Sequence, residues 1–370
     1  MSDFAYVNLT MAYTGSDPNG NMLASTNVQY NTPVISKPSD YYLFVQRFVI
    51  DGGEVPLLVP LVQTGNGQTD INKLVYQFAI GYTSPDGEII SDAINVSYVP
   101  SNATSRVPIA PSGGIQSQDL SSNYYYIYTY SEFLTMWNTA LEDALVNLGT
   151  KGVDISLIKP PVFYFDTSLG VVLKAKTDQY KKTLGVTSDN DVGFFQIYFN
   201  SQVSSYVTGL PSAYIPNPSG CNNVFYLYDQ INNLNVDGSY YLQSMQNIQE
   251  LSFWTTATNY QILSNIGIVK EYSQGILGSN STQQSQQNAI LTDFSPDTSN
   301  DVGYHTKLVY NKTDSLRMIE LMSDTPIYNV SASVYFVDNF GRSYPLYIGI
   351  NSIVSIKFGF IKKDVYRALR

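Results

Sequence analysis

The sequence predicts an all-β protein, a sandwich or a barrel, that carries one amphipathic helix. About a dozen short runs rich in β-branched and aromatic residues are bounded by Asn, Asp, Gly or Pro, which is typical of strands. These runs do not alternate with helical patterns, and this argues against a parallel α/β sheet. The 370 residues suffice for one large β domain with insertions or for two smaller domains.

The first forty residues contain the irregular polar stretches GSDPNGN and NTPVISKPS, and we expect residues 1–38 to form a flexible amino-terminal arm. Strand signals begin at 41–50 with YYLFVQRFVI. The stretch SPDGE at 84–88 predicts a hairpin turn, because Pro85 presets φ and Gly87 accepts a positive φ.

A strong amphipathic pattern follows the tyrosine run NYYYIYTY and predicts a helix near 131–148. Thr129 and Glu132 have the spacing of a capping box, and Gly149 is the expected residue just beyond the helix. We expect the helix to pack on a sheet and to close one edge or end of the sandwich, which would remove an aggregation-prone surface. The side chains predicted to be buried are Phe133, Trp137, Leu141 and Leu145.

The residues that catalysis requires are sparse. The single histidine, His305, lies in a strand-like context, and the sequence contains no G-x-S-x-G motif, no Walker A motif and no Cys/His cluster with metal spacing. The acidic stretches SDNDVG and SPDTSND do not match a calcium-binding EF-hand loop. The sequence therefore predicts no catalytic residues, no metal and no cofactor, and indicates that the protein is not an enzyme.

On composition alone, the chain is either an assembly component or an ordinary soluble all-β domain with no special partner. Charged residues make up 14% of the chain, and 31 tyrosines and 17 phenylalanines provide large surfaces that suit half-buried strands and subunit contacts. The net charge of −10 argues against coating nucleic acid by bulk charge. The lone Cys221 excludes an intramolecular disulfide. We expect no signal peptide and no membrane span, and synthesis in a reducing compartment.

Positive charge is concentrated at the carboxyl end, where five of the 20 Lys and Arg residues fall within the last fourteen positions. One interpretation is a solvated tail that keeps the last strand soluble. The other is a contact with nucleic acid or with an acidic partner on the inner side of an assembly. We expect residues 364–370 to form a basic tail. The candidate contact residues are Lys357, Lys362, Lys363, Arg367 and Arg370.

Five stretches resemble jelly-roll capsid proteins in their amino-acid sequence and in their order along the chain. The resemblance is to the minor capsid (penton) proteins of virophages and Polinton-like viruses in particular. The five stretches are SDYYLFVQRFVIDGGEVPLLVPLVQ, YYYIYTYSEFLTMWNTALEDAL, IYFNSQVSSYVTGLP, ILTDFSPD and RMIELMSDTPIYNVSASVYFVDNFGRSYPLYIGINSIVSIKFGFIKK. The resemblance implies an antiparallel jelly-roll β-sandwich over residues 39–363. It also implies a structural virion protein, made in the host cytoplasm or a virus factory, that forms a homopentamer or a trimer and docks onto the major capsid protein.

The strand count exceeds the eight that one jelly roll needs. We favour one roll with extra strands and an inserted subdomain at about 200–290, and the alternative is two compact jelly rolls side by side, as in a double jelly-roll major capsid protein. Two further functions stay open. A carbohydrate-binding attachment module would expose Trp254 or tyrosines in a cleft, and a β-sandwich hydrolase would gather His305 with carboxylates.

Overall fold

The computed structural model of the chain describes residues 3–15, 21–50, 56, 58–63, 70–100, 110, 123–166, 170–175, 179–180, 193–204, 207, 212–225, 241–244, 259–266, 269–271, 288–294, 308–311, 317–337, 343–349 and 352–369. Over these residues the fold is all-β with a few helices. Every strand pairing is antiparallel. The predicted fold class is confirmed.

The strands up to the long helix are β1 (Phe4–Ala12), β2 (Asn21–Leu23), β3 (Ser25–Gln29), β4 (Tyr41–Ile50), β5 (Lys73–Ser84), β6 (Gly87–Ile90) and β7 (Ile94–Ser97). The helices are α1 (Tyr130–Thr150), α2 (Ser201–Ser204) and α3 (Lys363–Leu369). The later strands are β8 (Val162–Asp166), β9 (Gly170–Ala175), β10 (Phe194–Phe199), β11 (Ser212–Tyr214), β12 (Asn223–Phe225), β13 (Tyr241–Ser244), β14 (Asn259–Leu263), β15 (Val269–Glu271), β16 (Asn288–Phe294), β17 (Leu308–Asn311), β18 (Ile319–Glu320), β19 (Asn329–Val337), β20 (Ser343–Pro345), β21 (Tyr347–Gly349) and β22 (Ile353–Lys362).

The chain groups into two compact units. Unit 1 consists of residues 1–58, 102–108 and 255–370, and unit 2 consists of residues 59–101 and 109–254. This division differs from the predicted 39–363 domain with an insertion at about 200–290. Unit 2 lies in sequence between residues 1–58 and 255–370 of unit 1, whose sheets join strands from both ends of the chain.

Unit 1 is built from two main sheets. One has the order β1-β22-β4-β17, with β18 also paired to β4, and the other has the order β15-β16-β14-β19-β20, with β3 also paired to β19. A short third sheet joins β2 to β21. The rings of Phe48 in β4 and Tyr260 in β14 lie 6.4 Å apart, so side chains from the two main sheets meet in one buried core.

The amino-terminal segment differs from the flexible arm that the sequence predicts. Strand β1 pairs with β22 over nine residues, from Phe4 opposite Ile361 to Ala12 opposite Ile353. Its alternate residues Val7, Leu9 and Met11 are buried in the core. The segment has the alternating pattern of a half-buried strand, and the strand that completes it lies at the other end of the chain.

Unit 2 contains a sheet of order β11-β12-β10-β5-β6, with β7 paired to β5, and a three-stranded sheet of order β13-β9-β8. Helix α1 packs against both, because the ring of Trp137 lies 5.3 Å from Phe78 of β5 and 5.3 Å from Phe163 of β8. The predicted turn between β5 and β6 is present, with Gly87 at φ +127°. The four helix side chains predicted to be buried are indeed buried.

Helix α1 has the amino-terminal cap that the sequence predicts, but its carboxyl-terminal end lies beyond the predicted one. The Thr129 hydroxyl accepts a hydrogen bond from the Glu132 N–H at 3.2 Å, as a helix cap should. The left-handed residue beyond the helix is Gly152, at φ +93°, and not Gly149. Gly149 lies inside the helix, where a Cβ would come within 2.8 Å of Ile155, so its role is to permit close packing.

Candidate assembly surface at the carboxyl-terminal end of unit 1

The carboxyl-terminal basic residues fall on regular structure. Strand β22 passes directly into helix α3, so Asp364 to Leu369 form a helix where the sequence predicts a tail. The Tyr366 ring packs edge-on against Tyr42 of β4 at 5.3 Å, which holds the helix to the sheet of unit 1. Arg370 lies outside the described residues.

Lys362 lies at the end of β22 and contacts the start of β1. Its Nζ lies 3.0 Å from Oδ1 of Asp3, and its backbone N–H donates to the Asp3 carbonyl oxygen at 3.1 Å. The hydrogen bond to Asp3 raises the pKa of the Lys362 ammonium. These contacts join the start of β1 to the end of β22, so this lysine already has a structural partner within unit 1.

Lys363 is held in the same way by β18. Its Nζ donates to Oε1 of Glu320 at 2.7 Å and to the Leu321 carbonyl oxygen at 3.3 Å, and it lies 5.6 Å from the centre of the Tyr42 ring. The hydrogen bond and charge of Lys363 lower the pKa of the Glu320 carboxyl. The side chain of Lys363 is 16% exposed, and this leaves little of it available to another molecule.

Lys357 has a different environment. Its Nζ lies 4.5 Å from the centre of the half-exposed Tyr6 ring, and its strand neighbours are Asn8 on β1 and Arg47 on β4. Arg47 is exposed. Neither Arg47 nor Lys357 forms an ion pair within the described part of the chain. The structure thus brings together two cations that are 310 positions apart in the sequence.

A β-bulge produces this pairing. Lys357 is opposite Arg47, but the next residue, Phe358, is opposite Val45, so Gln46 is the extra residue. Sequence reasoning missed Arg47 because a bulge and a strand register leave no local sequence signal. Arg367 is exposed on α3 and forms no ion pair with the described residues.

The rival functions find no support in the described residues. His305 and Trp254, on which a hydrolase or a sugar-binding cleft would depend, lie outside them. A cleft of about 620 Å³ on unit 1 is lined by Pro38, Asn265, Ile266 and residues 320–323 and 325–329, of which Glu320 alone is charged. No three His, Cys, Asp or Glu side chains cluster as a metal site in the described ranges. No helix there is both long and apolar enough to cross a membrane.

Comparison with known structures places the fold among viral capsid proteins. A chain of the Sputnik virophage structure determined by cryo-EM is similar over 99% of both chains, with a TM-score of 0.76 and 24% identity. The mavirus penton protein is similar over 97% of this chain and 99% of its own, with a TM-score of 0.60 and 16% identity. The jelly-roll all-β fold of virophage capsid proteins is therefore the fold of this chain.

Sequence comparison gives the family. The family model of the Sputnik minor capsid protein V18/19 matches residues 5–362, and the chain belongs to this family. Sputnik virophage protein V18, itself uncharacterized, is 33% identical over 143 residues, which span 38% of this chain and 82% of V18. The Sputnik structural protein V19 is 27% identical over 129 residues, which span 35% of this chain and 59% of V19. The resemblance to virophage minor capsid proteins is confirmed, and this family is one of viral structural proteins and not of enzymes.

Proposed function

We propose that this minor capsid protein is the penton subunit of a virophage-like shell, which associates with copies of itself at the vertices and docks onto the major capsid protein. The observation that carries the proposal is the likeness of nearly the whole chain to a protein described as a penton protein, in addition to membership of a minor capsid family. The double jelly-roll major capsid alternative has no such observation in its favour.

A homopentamer is the expected assembly, with a trimer as the alternative. Large side chains remain exposed on unit 1, among them Tyr6 at 47% and Met322 at 84%, and on unit 2, among them Tyr214 at 69%. Such residues are enriched at subunit interfaces. A specific contact between copies needs about 800 Å² from each partner, and the charge-poor, tyrosine-rich surface suits contacts of this size.

The basic carboxyl-terminal end is proposed to face nucleic acid or an acidic partner inside the virion. Because Lys362 and Lys363 are already paired with Asp3 and Glu320, this role falls mainly to Arg367 and, toward an acidic partner, to Lys357. Synthesis in the host cytoplasm or in a virus factory belongs to the same proposal.

Analytical ultracentrifugation and native mass spectrometry of the purified chain test the self-association. We expect a discrete oligomer, most simply five copies, whose population rises with concentration. A strict monomer at all concentrations, in low and in high salt, would contradict the proposal. Cross-linking of intact virions then tests the docking: links from this chain to the major capsid protein support it, and links only within the chain itself contradict it.

A further inference from the structure

Two positive charges lie directly side by side on the sheet of unit 1. Arg47 of β4 and Lys357 of β22 are opposed across neighbouring strands, a position in which like charges repel each other. Two acidic residues beside this sheet pair with other lysines, since Asp3 pairs with Lys362 and Glu320 pairs with Lys363. The Arg47–Lys357 pair therefore has no balancing carboxylate in the described part of its own chain.

The local structure holds Arg47 and Lys357 beside each other on the sheet. Lys357 is positioned by the Tyr6 ring, 4.5 Å from its Nζ. The bulge at Gln46 sets Arg47 beside it, and bulges of this kind re-aim side chains and are common next to functional sites.

The complementary feature is in unit 2. Unit 1 contains 13 Lys and Arg and 14 Asp and Glu, whereas unit 2 contains 7 and 16, so unit 2 carries −9 of the total charge of −10. On α1 the adjacent Glu142 and Asp143 are both exposed on the side opposite the buried face. Neither forms an ion pair within the described residues. Among the described residues, one chain thus carries a pair of cations and a pair of carboxylates, on different units, that form no ion pair within it.

We propose that Arg47 and Lys357 of one copy bind Glu142 and Asp143 of a neighbouring copy. The inference rests on the proposed self-association and assigns one of its contacts. A contact between two different surface patches is heterologous. Repeating it forms a closed ring of subunits when the rotation between successive copies adds up to a full turn. A second copy is favoured over nucleic acid because the exposed Arg47 and the half-buried Lys357 of an acidic protein neutralise few phosphates. Nucleic-acid affinity depends on the number of phosphates that are neutralised.

Charge reversal tests the contact in the full-length chain. The variant Arg47→Glu/Lys357→Glu places carboxylates opposite carboxylates, and we expect the association constant to fall by about tenfold or more, because apposed like charges oppose binding. The variant Glu142→Lys/Asp143→Lys should weaken association equally. Combining all four changes restores complementarity and the wild-type net charge, and should restore association. The matched control is Lys37→Glu/Arg317→Glu, which changes the charge of unit 1 by the same amount at two other exposed positions and should have little effect.

A second measurement does not depend on the variants. Carbodiimide joins an amine to a carboxylate in ion-pair contact, so a mixture of isotope-labelled and unlabelled chains should give a mixed-isotope link from Lys357 to Glu142 or Asp143. Circular dichroism confirms that each variant is folded.

The outcomes separate the two proposals. If the wild type associates and the reversal variants associate as strongly, or if the fourfold variant stays dissociated, the assigned contact is wrong and the penton proposal stands. If the wild type never associates, both fail. If Arg47→Glu/Lys357→Glu abolishes binding to labelled oligothymidine and leaves self-association intact, the pair serves nucleic acid and the inference is overturned.

Discussion

Asn138 of α1 hydrogen-bonds the backbone of Phe163 in β8 twice. Its amide nitrogen donates to the Phe163 carbonyl oxygen at 2.8 Å, and its amide oxygen accepts from the Phe163 N–H at 2.7 Å. Strand β8 is an edge strand of its sheet in the described residues. The helix therefore supplies backbone hydrogen-bond partners that a further strand would otherwise supply. Helix α1, the longest helix in the described residues, thus covers a sheet edge while its apolar face fills the core of unit 2.

Replacing Asn138 with Leu should destabilise unit 2 by about 1–3 kcal/mol, because the backbone groups of Phe163 lose both partners. Asn138→Asp keeps the acceptor for the Phe163 N–H but places a carboxylate oxygen against the Phe163 carbonyl oxygen, so it should also be destabilising. Urea unfolding followed by tryptophan fluorescence measures both. Thr139→Ala, one position further along at an exposed site, is the control and should change stability by less than about 0.5 kcal/mol. An equal result for Asn138→Leu and Thr139→Ala would show that the paired bonds do not stabilise the edge.

Leu141→Ala should cost about 2–5 kcal/mol, because Leu141 is fully buried and its loss leaves a cavity between α1 and the sheets. Val146 lies on the same helix and is 61% exposed, so Val146→Ala should be close to neutral. The same unfolding measurement compares them. Similar midpoints for the two variants would contradict the assignment of the buried face.

Gly359→Ala should destabilise unit 1 by about 1–3 kcal/mol through overpacking. A Cβ at this position would approach the ring of Phe44, its partner on β4, to 2.3 Å. Shortening the neighbour should relieve the clash, so the double variant Gly359→Ala/Phe44→Leu should lose less than the sum of the two single variants. Additive losses in thermal unfolding would indicate that the two positions do not interact.

Removing residues 1–12 should unfold or strongly destabilise unit 1, because β1 supplies one strand of a main sheet and three buried side chains. Limited proteolysis with mass spectrometry would then show early cleavage within 255–370. Removing only Met1 and Ser2, which precede the first described residue, is the control and should leave the cleavage pattern unchanged. A truncated chain with native protection would restore the view of this segment as a dispensable arm.

The Lys363–Glu320 ion pair makes the attachment of α3 acid-sensitive. The pKa of Glu320 is lowered from its ordinary value of 4.5 by the hydrogen bond and charge of Lys363. The stability this provides is complete above the unfolded-state pKa and is lost as pH falls through the lower folded-state pKa. The free energy of unfolding, measured by urea titration at neutral and at acidic pH, should depend less on pH in Glu320→Gln and in Lys363→Met than in the wild type. An unchanged acid dependence in both variants would contradict the linkage.

The sequence by itself determined the elements whose signals are local. A run of β-branched and aromatic residues indicates strand β4, Gly87 indicates the turn before β6, and the capping residue Thr129 with the three-and-four spacing indicates α1. Each of these signals depends on neighbours within a few positions. The scarcity of catalytic motifs and the order of the capsid-like stretches likewise indicated a structural protein of the family to which the chain belongs.

Only the tertiary structure decided which distant segments meet. Asp3 and Lys362, which are 359 positions apart, are hydrogen-bonded where β1 pairs with β22. Because of this pairing, part of the predicted arm is a strand with buried side chains. The bulge at Gln46 decides that Arg47 lies beside Lys357, and the ion pairs of Lys362 and Lys363 decide that two of the predicted contact lysines serve the fold. The physical reason is that strand register and long-range pairing are set by the summed packing of whole sheets, for which no short stretch of sequence carries the signal.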